Sequence, residues 1–334
     1  MVRPLLTALA AFLFTTALTA RPIVIAHRGA SAYLPEHTLE AAAYAHAVGA
    51  DFIEQDLVMS RDDVLVVLHD IHLEMTTDVA RVFPDRARAD GRFYAVDFDW
   101  TELQQLSVNE RVNSQTGERA YPDRFPLQPG PFRLCTLEEQ ISLIQGLNQS
   151  TGRNVGIYPE IKAPSWHASE GKDLGTPLLA MLERYGYQGP DARVFVQCFE
   201  AAELKRLRFE LGTELPLIQL IGIAAWNHPG ADYDAMRTPA GLAEIATYAQ
   251  GIGPHTDQIL LGWDDHGSAQ LSSLVAEAQA QSLQVHPYTL RADQLPHGIA
   301  DFETLVELFV STAHADGLFT DHPDRVVNFM ATAE

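Results

Sequence analysis

The chain of 334 residues holds only two cysteines, half as many basic as acidic side chains, and no long apolar run beyond its first twenty positions. Each shortage excludes something. With 23 Lys and Arg against 44 Asp and Glu, net charge −21, the surface field repels phosphate backbones, so no nucleic acid is expected as a partner. Two cysteines make no disulfide framework, and a chain this long needs none. Cys198 lies in the strand-like run Val194–Phe199, so it and Cys135 are expected as buried free thiols. The first strand-like run is followed by no glycine fingerprint, which counts against a dinucleotide-binding fold. Internal repeats and low-complexity tracts are also missing.

The single uncharged apolar stretch, Leu5–Ala20, follows a short start containing Arg3 and ends in small residues at Ala17 and Ala20. It is short for a membrane span, and its layout predicts a secretory signal peptide over residues 1–20. No cysteine precedes Cys135 to carry a lipid. A periplasmic or secreted protein without a stable membrane anchor is expected, and nothing in the sequence points to a protein partner.

What is present is alternation. Apolar runs at Ile23–Ala26, Phe52–Val58, Val64–Leu68, Val155–Ile161, Val194–Phe199, Leu217–Ile223, Leu283–Tyr288 and Gly317–Thr320 are separated by helical patterns. These patterns cover Thr38–Val48, Thr136–Gly146, Pro177–Tyr185, Ala201–Leu211, Pro239–Gln250, Ala269–Ala280 and Phe302–Phe309. Ala249–Gly253 is a candidate for one more strand. Such alternation predicts a parallel sheet, and about eight repeats in about 250 residues predict a (β/α)8 TIM barrel over residues 21–334. Residues 72–133 break the rhythm with Asp, Arg, Pro and aromatic residues. A loop that long is improbable in a compact domain, so a small inserted cap subdomain is expected over the C-terminal mouth.

Polar clusters fall at the strand ends: His27 and Arg28, then Glu54 and Asp56, then His69, then Glu160 and Lys162. Glu54 and Asp56 share one strand face, as do Glu160 and Lys162. Carboxylates converging in a barrel interior repel one another unless cations neutralise them. One solution is a divalent metal held by Glu54, Asp56 and Glu160; the other is a set of interior ion pairs with Arg28 and Lys162. Two histidines and two cations at the same mouth favour the metal. An all-oxygen ligand set suits Ca2+ or Mg2+ better than zinc. Of the other histidines, His46, His167, His228, His266 and His297 are expected at the surface, and His286 at the pocket's border.

The series His27-Arg28-Gly29-Ala30-Ser31, Leu34-Pro35-Glu36-His37-Thr38, Glu54-Gln55-Asp56-Leu57, His69-Asp70 and Tyr158-Pro159-Glu160-Ile161-Lys162 resembles the glycerophosphodiester phosphodiesterases. The likeness is nearest to their periplasmic, calcium-dependent bacterial branch, and the later runs Val196–Phe199, Val285–Thr289 and Gly317–Asp321 agree with it. His37 stands where much of the wider family has asparagine, a departure expected to matter little in a loop. The resemblance implies a TIM barrel with an inserted cap and hydrolysis of glycerophosphodiesters to an alcohol and sn-glycerol 3-phosphate. It further implies His27 and His69 as acid–base pair and one divalent cation, Ca2+ ahead of Mg2+, on Glu54, Asp56 and Glu160. Arg28 and Lys162 are expected to bind the phosphate, with Phe199 and Tyr288 on the alcohol side. A lipid-cleaving relative would want an apolar rim or a basic face. A non-catalytic binding protein would be expected to lack one of the five residues, and all five are here.

Overall fold

The fold follows from which side of each strand meets helices and which meets the barrel axis. A computed structural model describes residues 21–113, 115–127, 130–226 and 230–333, so the expected signal peptide lies outside the described residues. Eleven strands are present among them: β1 (Ile23–Ala26), β2 (Phe52–Met59), β3 (Leu65–Val67), β4 (Gly156–Ile161), β5 (Val196–Cys198), β6 (Leu217–Ile221), β7 (Gly251–Pro254), β8 (Leu260–Trp263), β9 (Ala269–Leu271), β10 (Gln284–Val285) and β11 (Gly317–Thr320). Eight of them run parallel in the order β10-β7-β6-β5-β4-β2-β1-β11. The ring is brought together between its ends by the Asp316 and Phe319 N–H groups, which donate to the Val285 and Pro287 carbonyls at 2.9 and 3.0 Å. The expected eight-stranded α/β barrel is therefore the architecture found.

Three readings of the sequence change. Val64–Leu68 is not a barrel stave: β3 pairs antiparallel with the end of β2, Leu57 opposite Val67. The eighth stave is β7, in the glycine-rich run that was only a candidate. Its glycines serve packing, since a Cβ on Gly251 would sit 2.7 Å from the Gln284 carbonyl oxygen. Ala269–Leu271, expected as helix, pairs with β8 in a small hairpin, and the helix begins at Leu274.

Outward-facing strand residues such as Val24, Ile53, Ile157, Val196 and Leu217 pack on the surrounding helices in one continuous core. Helix ends are set by local chemistry. Thr38 caps the helix Leu39–Val48 by accepting from the Ala41 N–H, and left-handed Gly49 ends it. Thr136 and Glu139 form a capping box on the helix Leu137–Thr151. Inward-facing residues change character along the axis. Ile25, Phe52, Tyr158, Ile218 and Phe319 fill the lower barrel. One or two pleats further on, the same faces carry His27, Glu54, Asp56, Glu160 and Lys162, which line a cleft.

The segment between β3 and the helix Leu137–Thr151 gathers around its own buried side chains, among them Leu73, Phe93, Phe98, Leu103 and Phe132, and this cluster continues onto Val58 and Val66. Its α-helices, Val79–Val82 and Trp100–Leu103, are one turn each. No helix of the described residues is long and apolar enough to cross a membrane.

Candidate active site

All nine site residues expected from the sequence, His27, Arg28, Glu54, Asp56, His69, Glu160, Lys162, Phe199 and Tyr288, line one cleft of about 470 Å³ at the C-terminal ends of the staves. The strand register accounts for part of this. Asp56 lies opposite Glu160 across β2 and β4, and Glu160 opposite Gln197 across β4 and β5, so their side chains rise into the same space. After β1 the chain turns through left-handed Arg28 (φ 58°) and Gly29 (φ 80°). That turn aims the Arg28 N–H at Glu54 Oε2, 2.6 Å away. Gly29 is required there, because a Cβ would lie 2.8 Å from the carbonyl carbon of Ala41 in the following helix.

Each histidine is held through the same ring atom. His27 Nδ1 meets Asp321 Oδ1 at 2.6 Å, and His69 Nδ1 meets Asp70 Oδ1 at 3.0 Å. This leaves Nε2 of both rings as the atom to present to a substrate. Burial, reinforced by the Arg28 charge, lowers His27 to about 4. Burial, with Arg28 and Lys162, lowers His69 to about 3. Both rings are therefore neutral near pH 7.

The carboxylates are frustrated. Burial and the Asp56 charge push Glu54 well above the usual carboxylate range. Burial also lifts Glu160 to about 8, with Asp56 adding, against the pull of Lys162. Asp56 takes the negative charge: burial opposes it, but the Lys162 charge holds it well below the usual range. Its Oδ1 is buried without a hydrogen-bond partner, and the nearest cation, Lys162 Nζ, is 3.5 Å away. Repelling carboxylates with a bare oxygen among them are chemically suited to a hard divalent cation. Glu54 and Asp56 fall, with His37, into a group whose possible ligand atoms all lie within 4.8 Å of one another. Glu160 stands beside them, its Oε1 bonded to Lys162 Nζ at 2.7 Å.

His37 is therefore not incidental. It is buried, and its Nε2 lies 2.7 Å from Asp56 Oδ2. Its carbonyl accepts from Cys135 Sγ and Gln140 Nε2. Both cysteines are buried and unpaired, as expected. The sequence reading also missed an ion network behind the histidines. Asp70 Oδ2 is bonded to Arg111 Nη1 at 2.7 Å, and Asp321 Oδ2 to Arg124 Nη2 and Arg291 Nε, both at 2.7 Å. Glu36 lies between Arg28 and Arg111, accepting from both.

Several other histidines differ from expectation. His46 and His167 are buried, bonded to Asn148 and to the Ala163 carbonyl. His286 lies beneath the cleft against Tyr158 Oη, at 2.9 Å. His266 and His297 are exposed, and His228 lies outside the described residues. The alcohol-side candidates form an aromatic wall, with Tyr288 edge-on to Phe199 at 5.9 Å between centroids and tilted against Trp226 at 6.4 Å.

The protein is 43% identical over 326 residues to a glycerophosphodiester phosphodiesterase of Haemophilus influenzae, covering 92% of this chain and 89% of that one. It is 37% identical to one of Treponema pallidum, over 92% and 91% of the two chains. Among solved structures, a glycerophosphoryl diester phosphodiesterase from Silicibacter pomeroyi shares the fold with TM-score 0.71 at 24% identity, covering 94% of each chain. An Oleispira antarctica phosphodiesterase solved with its product sn-glycerol-3-phosphate shares it with TM-score 0.62 at 20% identity, covering 93% and 97%. The profile of the glycerophosphoryl diester phosphodiesterase family matches residues 27–325, so the chain belongs to that family.

Proposed function

We propose that the protein hydrolyses glycerophosphodiesters to an alcohol and sn-glycerol 3-phosphate, using His27 and His69 as acid and base beside one divalent cation on Glu54, Asp56 and Glu160. The observation that carries this reading is the pairing of two imidazoles, each fixed through Nδ1 to an aspartate, in one cleft with three carboxylates and two cations. A bound cation would withdraw charge from the phosphate's non-bridging oxygens. Arg28 and Lys162, both on the cleft wall, supply positive charge to the same oxygens. One Nε2 takes the proton from the substrate's glycerol hydroxyl as that oxygen attacks phosphorus. The other gives a proton to the departing alcohol oxygen, and water then opens the cyclic phosphate with the roles reversed. Entry of an anionic substrate offsets the Arg28 charge that disfavours a protonated imidazole.

Ca2+ is the cation of choice for an oxygen-rich set, with Mg2+ the alternative. His37 at Asp56 adds one nitrogen to the neighbourhood. Residues 1–20 are proposed to direct export to the periplasm or the medium, where no protein partner is required. The alcohol subsite is proposed at Phe199 and Tyr288. Of the cleft's lining residues only Trp226 is an exposed large apolar side chain among those described, which gives little support to a lipid-surface reading.

Replacing either histidine by alanine should lower kcat by ~10²–10⁴, the usual worth of a positioned acid or base. Loss of the general acid should matter much less on a nitrophenyl ester, whose leaving group departs without a proton; loss of the base should not be relieved this way. We prefer His69 as the acid, and this comparison decides it. Near-normal rates in both variants on a natural substrate would overturn the proposal.

A further inference from the structure

None of the described residues of 72–133 is among the side chains that line the cleft, although this segment was expected over its mouth. What it does send toward the cleft is two buried arginines, and each ends on a different histidine-bearing aspartate. We propose that Arg111 and Arg124 are positioning residues for catalysis, locking Asp70 behind His69 and Asp321 behind His27; this rests on the acid–base reading above.

The two arrangements repeat one another. In each, Oδ1 of the aspartate holds the histidine Nδ1 while Oδ2 is held at 2.7 Å by an arginine from the segment. A carboxylate gripped at both oxygens cannot rotate about its terminal bond, so the imidazole it carries is fixed in tautomer and in plane. Neither arginine is free to wander. Arg111 also forks onto Glu36, with Nε to Oε2 at 2.9 Å and Nη2 to Oε1 at 2.6 Å. Arg124 forks onto Asp293 at 2.7 and 3.0 Å, and its guanidinium lies 3.6 Å from the Tyr121 ring centroid. Glu36 is held in turn by Arg28, which further restricts the Arg111 guanidinium.

The two are not equivalent. Asp321 keeps a second arginine, Arg291 from the barrel loop after β10, whereas among the described residues Asp70 is paired with Arg111 as its one arginine. Loss of Arg111 should therefore cost more than loss of Arg124.

The test is steady-state kinetics of Arg111→Met, Arg124→Met, His69→Ala and the double variant His69→Ala/Arg111→Met on two glycerophosphodiesters, with ethanolamine and with glycerol as the alcohol. Arg111→Met should lower kcat by about 10–100-fold, the scale of an ångström-level misplacement. KM should change far less, and the loss should be equal for both alcohols. Arg124→Met should lose less. Because Arg111 acts through His69, the double variant should be no slower than His69→Ala alone. Multiplicative losses, or losses that differ between alcohols, would overturn the inference and return the segment to a packing or specificity role. Wild-type kcat in Arg111→Met beside a crippled His69→Ala would overturn it while leaving the proposed function standing. A His69→Ala variant at wild-type rate would strike the function itself. Should the methionine variant fail to fold, Arg111→Lys carries the test, since an ammonium keeps the charge but cannot fork onto Glu36 and reach Asp70 together. Its kcat should fall several-fold at an unchanged melting temperature, and an unchanged kcat would refute the positioning role.

Discussion

Removing divalent cations should lower the melting temperature by several degrees, and the size of the effect can be worked out in advance. Glu54, Asp56 and Glu160 are buried together, with Arg28 and Lys162 the cations paired with them among the described residues, and Asp56 Oδ1 is left without a donor. The unfolded chain offers no such cluster, so cation binding stabilises the native state alone. At a hundred-fold excess over the dissociation constant the gain is about 2.7 kcal/mol, and at a thousand-fold about 4.1 kcal/mol. A chain of this length unfolds with an entropy on the order of 0.7 kcal/mol/K near 60 °C. The expected shifts are thus about 4 °C and about 6 °C. The assay is scanning calorimetry in excess EDTA, then after return of Ca2+ or Mg2+ in steps, with Asp56→Asn as the control that should flatten the response. A melting temperature that is the same with EDTA and with excess of either ion would refute the metal site, because no native-state ligand can bind without this shift.

Acid should destabilise the fold through its buried rings. Burial alone lowers His286 to about 3. A depressed ring stays neutral in the fold and titrates near 6.5 when unfolded, so its contribution is present above 6.5 and is lost as pH falls toward 3. Between pH 6.5 and 5 each such ring should cost about 2 kcal/mol, measured by urea unfolding, and His286→Gln should make the slope shallower; a flat profile would contradict this. Gly29→Ala should cost at least ~1–2 kcal/mol in left-handed strain, plus the clash with Ala41. Gly152→Ala, also left-handed but with open space around its Cβ, should show the strain alone, and equal losses in melting temperature would refute the packing argument.

Much of the barrel was legible because a buried parallel strand reads as a short apolar run between helical patterns, and because charged residues inside such runs have nowhere neutral to point. The errors have equally physical sources. β3 has the composition of a stave, and only its partner's direction distinguishes it. β7 nearly escaped notice because close approach of neighbouring strands demanded glycine where β-branched residues would have signalled a strand. His37 looked like a loop residue since its left-handed turn toward Asp56 is a property of backbone geometry, not of neighbours in sequence. Arg111 and Arg124 lay in an aperiodic stretch, and their carboxylate partners Asp70 and Asp321 are 41 and 197 positions away. His46 and His167 read as surface residues from helical and loop context, whereas each is buried and finds an acceptor there.

The bond between His27 and Asp321 joins residues 294 positions apart, across the seam where β1 pairs with β11. Such a contact is among the last that chain diffusion can deliver, since its loop encloses nearly the whole barrel. A ribosome-bound chain that has yet to release β11 has a His27 with nothing to orient it. Turnover should therefore appear abruptly on completion of the chain and not grow with its length. Recovery of activity after denaturation would then report closure of the ring, later than any probe of helix content.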